Sequence, residues 1–103
     1  MIEKYKSRRI RVAIRHVLMA KWDPIGVCGV PEAYDEYDGY LGGVFELLLE
    51  HSTRESIAQY LKEIEVARMG LADLAGEPYM PAKQRFAAVD ELQRVFHEQM
   101  LIA

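Results

Sequence analysis

The chain has 103 residues, half of them hydrophobic and 28% charged, and its formal net charge is −3. This length and balance are typical of a globular domain with its own core and exclude a disordered tail. We therefore expect a single domain over residues 1–103. Cys28 is the only cysteine, so no disulfide can form within the chain, and we expect its side chain to be a small buried hydrophobe. No apolar run approaches a membrane span or signal-peptide core, which predicts a cytoplasmic protein without a membrane partner.

Charge is distributed unevenly along the sequence. Residues 1–21 contain seven Lys and Arg side chains and one Glu, whereas residues 22–50 contain seven Asp and Glu side chains and no Lys or Arg. This pattern predicts either a molecule with two oppositely charged poles or a fold whose first two segments attract each other.

Hydrophobic spacing predicts four helices. The first runs from about Lys6 to Lys21 and must end before Pro24, since proline cannot continue the helical hydrogen bonds. Residues 22–33 form a loop, and a second helix follows from about Asp35 to His51. The first helix buries a stripe of apolar side chains (Ile10, Ala13, Ile14, Val17 and Leu18). Glycines inside the second helix (Gly39, Gly42 and Gly43) indicate close approach of another backbone, or a kink.

The third helix has both end signals. Ser52 and Glu55 fit a capping box, and Gly70 supplies the left-handed residue that ends many helices. Its predicted buried face is Ile57, Tyr60, Leu61, Ile64 and Ala67. The fourth helix begins at about Ala82 and continues to Ile102, with one apolar side made of Phe86, Val89, Leu92, Phe96 and Met100. The fold class is therefore an all-α compact bundle of about four helices.

Carboxylates near the second helix are the first candidates for chemistry. Asp35, Glu36 and Asp38 lie close together, and Asp23 precedes them in the loop. Their spacing matches no calcium loop, and the Glu-x-x-His pairs of di-iron bundles are absent. The three histidines have no sequence-local partner, and His51 is expected to complement the helix dipole. We therefore expect no catalytic constellation, no metal and no cofactor.

Aromatic residues cluster around the same segment. Trp22 and Tyr37 are expected in the core, whereas Tyr34 and Tyr40 fit either the core or a binding surface. Arginines on the first helix could contact nucleic acid, but the chain is acidic overall and lacks a recognition motif. We therefore expect no nucleic-acid partner.

Three sequence stretches carry a family resemblance: WDPIGV at Trp22–Val27, DEYDGY at Asp35–Tyr40 and YLKEIEVARMGL at Tyr60–Leu71. The region from Lys21 to Leu71, about half the chain, resembles an uncharacterised family of small bacterial all-helical proteins. That resemblance implies a helical fold in a bacterial cytoplasm. Similar small acidic helical proteins act as immunity or antitoxin-like partners of bacterial toxins.

The sequence thus predicts a non-enzymatic protein-binding module of immunity or antitoxin type, which binds a basic partner such as a toxin. The candidate partner-binding residues are Asp23, Tyr34, Asp35, Glu36, Asp38 and Tyr40. One alternative is a small metal-dependent enzyme that uses the carboxylates of residues 23–38, or His51. Another is a structural homodimer that uses the glycine-lined face of the second helix.

Overall fold

The computed structural model describes residues 2–102, which form four helices. These are α1 (Lys4–Val17), α2 (Asp38–Leu49), α3 (Arg54–Glu63) and α4 (Ala82–Leu101), with one π-helical turn after α1 (Leu18–Trp22), another after α3 (Ile64–Arg68) and a 3₁₀ turn at Pro31–Ala33. Within the described residues the only β pairing is an isolated bridge between Ala72 and Pro78. The all-α bundle predicted from the sequence is confirmed. None of the helices in residues 2–102 is both long and apolar enough to cross a membrane.

Helix α1 starts earlier than predicted because Glu3 caps it. The Glu3 carboxylate accepts hydrogen bonds from the backbone N–H groups of Tyr5 (2.8 Å) and Lys6 (3.4 Å), which satisfies donors that a helix start leaves open. At the other end, the N–H of Asp23 donates to the carbonyl of Leu18, five residues back, at 2.8 Å. Asp23 then adopts a left-handed conformation (φ 39°, ψ 58°), and the helix stops there.

Helix α2 begins at Asp38, three residues later than predicted. The preceding residues form successive tight turns. The backbone N–H of Glu36 donates to the carbonyl of Ala33, and the backbone N–H of Asp38 donates to the carbonyl of Asp35, each at 3.0 Å. Asp35 and Glu36 therefore precede the helix instead of lying in its first turn. The helix ends at Leu49, before the predicted His51.

The capping box predicted for α3 is wrong by one residue. Thr53 is the N-cap, and its hydroxyl accepts from the N–H of Ser56 at 3.1 Å. Gly70 has the left-handed φ (68°) expected of the residue that ends this segment. The predicted burial of Ala67 is also wrong, since it is exposed while Glu65 is buried. The π-helical turn adds a residue per turn and so rotates the buried face away from simple α-helical spacing.

All four helices contribute to one hydrophobic core. Helix α1 packs against α4, and on α2 the ring of Phe45 meets that of Phe96 on α4 with centroids 6.4 Å apart. Trp22 and Tyr37 are buried in this core, as predicted, and their ring centroids lie 5.3 Å apart. Because Trp22 ends the first helical segment and Tyr37 precedes α2, this contact holds the two ends of the intervening loop together.

The adjacent glycines Gly42 and Gly43 lie in different environments. A Cβ atom built at Gly43 would lie 2.6 Å from Cζ of Tyr60 and even closer to its hydroxyl. At Gly42 nothing lies within 4 Å of such an atom. What approaches this glycine cluster is thus a side chain and not the predicted backbone: Tyr60 of α3 packs against α2 at Gly43.

We expect the free energy of unfolding of Gly43→Ala to be lower than that of Gly42→Ala by about 1–3 kcal/mol, because its methyl group overlaps Tyr60. Gly42→Ala, the matched control, should be more stable than the parent protein by about 0.5–1 kcal/mol, because alanine loses less backbone entropy in a helix. Urea denaturation of both variants checks these signs. Destabilisation of similar size in both would show that α3 does not pack against Gly43.

Candidate functional site

The carboxylate of Asp23 organises the loop that follows the first helical segment. Its Oδ1 atom accepts hydrogen bonds from the N–H of Val27 (2.8 Å) and the hydroxyl of Tyr37 (2.7 Å), and its Oδ2 atom accepts from the N–H of Cys28 (3.1 Å). The hydroxyl of Tyr37 in turn accepts from the N–H of Ile25 at 3.2 Å. Asp23 is thus hydrogen-bonded to its own loop and holds that loop in one shape.

The hydroxyl of Tyr37 needs its proton to donate the hydrogen bond to Asp23. Burial, together with its hydrogen bond to Asp23, raises the pKa of Tyr37 well above its ordinary value. The hydroxyl therefore keeps its proton throughout the neutral pH range. The start of the WDPIG loop and the DEYD segment, separate in sequence, are joined through the hydrogen bonds of this hydroxyl to Asp23 and Ile25.

An ion pair connects the basic first helix to the acidic segment. Arg15 donates to both oxygens of Asp38, at 2.9 and 2.7 Å, and each side chain is about one-third exposed (32% and 33%). The guanidinium also lies over the ring of Tyr34, with 5.6 Å to the centroid. The hydrogen bonds to Asp38 raise the pKa of Arg15. The predicted attraction between the first two segments is therefore present, and Asp38 takes part in it.

The other candidate residues differ in their exposure. Asp35 and Glu36 are exposed, and Tyr34 is 60% exposed. Tyr40 is half-buried; its ring packs edge-on against Trp22 with centroids 6.2 Å apart. The six candidates therefore separate into Tyr34, Asp35 and Glu36 at the surface, and Asp23, Asp38 and Tyr40 in supporting contacts.

The exposed candidates belong to a larger set of exposed side chains on one loop, which we call the loop surface. It combines three exposed apolar side chains with three exposed acidic ones, all from residues 25–36. Its members are Ile25, Val30, Glu32, Tyr34, Asp35 and Glu36. A depression of about 230 Å³ opens beside Val30 and Tyr34 and is also lined by Met19, Gly29 and Pro31. The loop surface thus has an apolar recess at Val30 and Tyr34, and the exposed carboxylates of Asp35 and Glu36 follow Tyr34 directly in sequence.

The acidic residues do not converge as metal ligands would. Asp23 accepts from its own loop and Asp38 from Arg15. Within residues 2–102, no group of three or more His, Cys, Asp or Glu side chains could hold an ion. The carboxylates of residues 23–38 therefore form no metal-ligand set among the described residues.

Cys28 is exposed, and its predicted burial is wrong. The Asp23 carboxylate holds the backbone N–H of Cys28, and the loop residues that follow, Gly29 and Val30, are exposed as well. The residue therefore lies on the outer part of a loop that does not return to the core until Tyr37.

Sequence reasoning missed a buried ion pair between Glu65 and Arg85. The Nη2 and Nε atoms of Arg85 donate to the two oxygens of Glu65 at 2.6 and 2.9 Å, and the indole Nε1 of Trp22 donates to Oε2 at 2.8 Å. Glu65 is 1% exposed and Arg85 4%. The available signal was positional: Glu65 follows Leu61 by four residues and Arg85 precedes Val89 by four, so both occupy buried-face positions.

This network is complete in its hydrogen bonding. Arg85 also donates to the carbonyl of Met80 at 3.2 Å, and Gln84 donates to the carbonyl of Trp22 at 3.2 Å. Among the residues that the structure describes, no buried side-chain nitrogen or oxygen lacks a partner. The arrangement therefore has the character of a structural clamp between the first helical segment, the turn after α3 and the start of α4.

Comparison with protein-family models, curated proteins and solved structures finds no match to this chain.

Replacing Arg85 by Met should lower the free energy of unfolding by about 3–5 kcal/mol, because Glu65 would remain as a buried carboxylate without its countercharge. The double variant Glu65→Met/Arg85→Met should be less destabilised than Arg85→Met alone, because it buries no lone charge. Urea unfolding monitored by fluorescence of the single tryptophan gives both values. A lower free energy of unfolding in the double variant than in Arg85→Met would contradict an ion pair at this position.

The raised pKa of Tyr37 also predicts a loss of stability in alkali. A tyrosine of the unfolded chain ionises near pH 10, so the stability contributed by neutral Tyr37 is fully present below that pH and falls as the pH rises above it. We expect the decline in unfolding free energy between pH 9 and about 11 to be smaller in Tyr37→Phe than in the parent protein.

Tyr34→Phe is the matched control, since Tyr34 is exposed, and its alkaline decline should equal that of the parent protein. Equal declines in all three proteins would contradict the placement of Tyr37.

Proposed function

We propose that the chain is a non-enzymatic protein-binding module that receives a basic partner on its loop surface. The observation that supports this most directly is the combination of exposed apolar side chains (Ile25 42%, Val30 45% and Tyr34 60%) with exposed carboxylates on a loop held by Asp23. No Lys or Arg occurs in residues 22–50. The surface therefore suits a partner with clustered positive charge.

The two kinds of side chain have different roles in such binding. Apolar anchors that are removed from water supply most of the affinity, so Tyr34 and the recess beside it would receive an aliphatic or aromatic side chain of the partner. The carboxylates of Glu32, Asp35 and Glu36 attract positive charge over a longer range and speed association. A loop that already has its bound shape loses little entropy when the partner docks.

Three of the predicted binding residues take a supporting role in this proposal. Asp23 fixes the loop through its backbone, and Tyr40 packs beneath it on Trp22. Asp38 pairs with Arg15, which also lies over the ring of Tyr34. This pairing neutralises a positive charge that contacts Tyr34 and limits its effect on the acidic side chains.

Of the possible partners, we infer a bacterial toxin, with this chain as its immunity or antitoxin-type protein in the cytoplasm. Support comes from the resemblance of residues 21–71 to small bacterial helical proteins and from the acidic, exposed side chains of the loop surface. A toxin that cleaves or modifies nucleic acid carries basic side chains to bind phosphates. An acidic surface with an apolar anchor could cover such a site directly.

The test is affinity purification with the tagged protein from extracts of the organism that encodes it. We expect a basic partner that is retained at low ionic strength and released by salt. The triple variant Glu32→Lys/Asp35→Lys/Glu36→Lys should weaken its binding by about tenfold or more, because it reverses the attraction.

The control variant is Glu46→Lys/Glu50→Lys/Glu63→Lys, which changes three exposed acidic residues on α2, at its end and on α3 and alters the net charge equally. It should retain the partner. Equal loss in both variants would show that net charge alone governs binding. Recovery of no salt-sensitive partner would contradict the proposal.

A further inference from the structure

Two of the three histidines line one depression, in a part of the molecule separate from the loop surface. His51 follows the end of α2 and His97 lies on α4, and both are exposed. The depression has a volume of about 300 Å³. Its remaining lining residues are Leu48, Ser52, Gln93, Phe96 and Met100. No carboxylate belongs to this set.

His51 adopts a left-handed backbone conformation, which few residues other than glycine adopt. The φ angle of His51 is 55°. Its N–H donates to the carbonyl of Leu48 at 3.1 Å, and the N–H of Ser52 donates to the carbonyl of Leu47 at 3.0 Å. This pair of reversed hydrogen bonds ends many helices, and glycine is the residue preferred at the left-handed position. Histidine holds this position at a cost in stability, which points to a role for its imidazole.

The donor atoms around the depression suit a soft metal ion. His97 and Met100 are three residues apart on α4 and therefore share a face, which brings a second imidazole and a thioether to the depression that His51 lines. Imidazole binds several transition metals, and a thioether selects Cu(I). The three donors are thus of the kinds that a copper(I) ion uses.

The positive charge held at the backbone of Met100 disfavours a divalent ion more than a monovalent one. The ammonium group of Lys6 donates to the backbone carbonyl of Met100 at 2.8 Å. Since Coulomb repulsion scales with the charge of the bound ion, this ammonium opposes a dication twice as strongly as Cu(I).

We propose that His51, His97 and Met100 form a binding site for a soft transition-metal ion, with Cu(I) bound more tightly than Zn(II). The two imidazoles are exposed and can turn toward an ion, while Met100 is half-buried at the same depression. This site is independent of the loop surface, and its test does not depend on any protein partner.

The experiment is an anaerobic Cu(I) titration in competition with a colorimetric chelator. All proteins carry Cys28→Ser, because an exposed thiol would itself bind Cu(I). We expect one ion per chain, and an affinity lower by about tenfold or more in His51→Gly and in His97→Ala. His16→Ala removes the third histidine, exposed on α1, and should bind as the parent does.

His51→Gly separates loss of a ligand from loss of fold. Glycine fits the left-handed position better, so its Tm should rise by about 4 °C or more while Cu(I) binding falls. Met100→Leu should weaken the binding of Cu(I) by about tenfold and leave the lower affinity for Zn(II) unchanged. Absence of stoichiometric Cu(I), tighter binding of Zn(II), or an equal effect of His16→Ala would overturn the proposal.

Discussion

The buried ion pair of Glu65 and Arg85, with the indole of Trp22 as its third member, is the constraint on which the surrounding structure depends. Two charges removed from water are tolerated only where their hydrogen bonds are complete and well aligned, so the three side chains admit one arrangement. They come from three different helical segments, and satisfying them fixes how those segments meet.

The position of Trp22 extends this constraint to the surface. Asp23 follows it directly, in a left-handed conformation that turns its carboxylate onto the N–H groups of Val27 and Cys28 and the hydroxyl of Tyr37. The loop is therefore shaped by a residue whose neighbour is clamped in the core. These inner contacts fix the loop that carries the exposed side chains of Tyr34, Asp35 and Glu36. Neighbouring residues of one motif therefore differ in role, since some hold the loop and others are exposed on it.

Sequence periodicity was sufficient for the helices and much of the core, because burial of one helical face repeats at a fixed spacing. The burial of Trp22 and Tyr37, expected from their aromatic side chains, is confirmed. Periodicity failed where local hydrogen bonds compete with that spacing: the tight turns before Asp38 delay α2, and the π-helical turn after α3 exposes Ala67. The ion pair was missed because a charged residue on an apolar face ordinarily extends its charged end to solvent. Its partner lies in another helix, so no local sequence pattern indicates the pair.

The single tryptophan provides the most direct measurement of whether this clamp organises the molecule. Its indole N–H, hydrogen-bonded to a buried carboxylate, gives one resolved signal in a proton–nitrogen correlation spectrum, and its exchange with deuterated solvent can be followed over time. We expect this proton to exchange only through global unfolding, with a free energy of exchange equal to that from urea denaturation. Rapid exchange through local opening, in a protein that remains folded, would contradict the clamp and the fixed loop that depends on it.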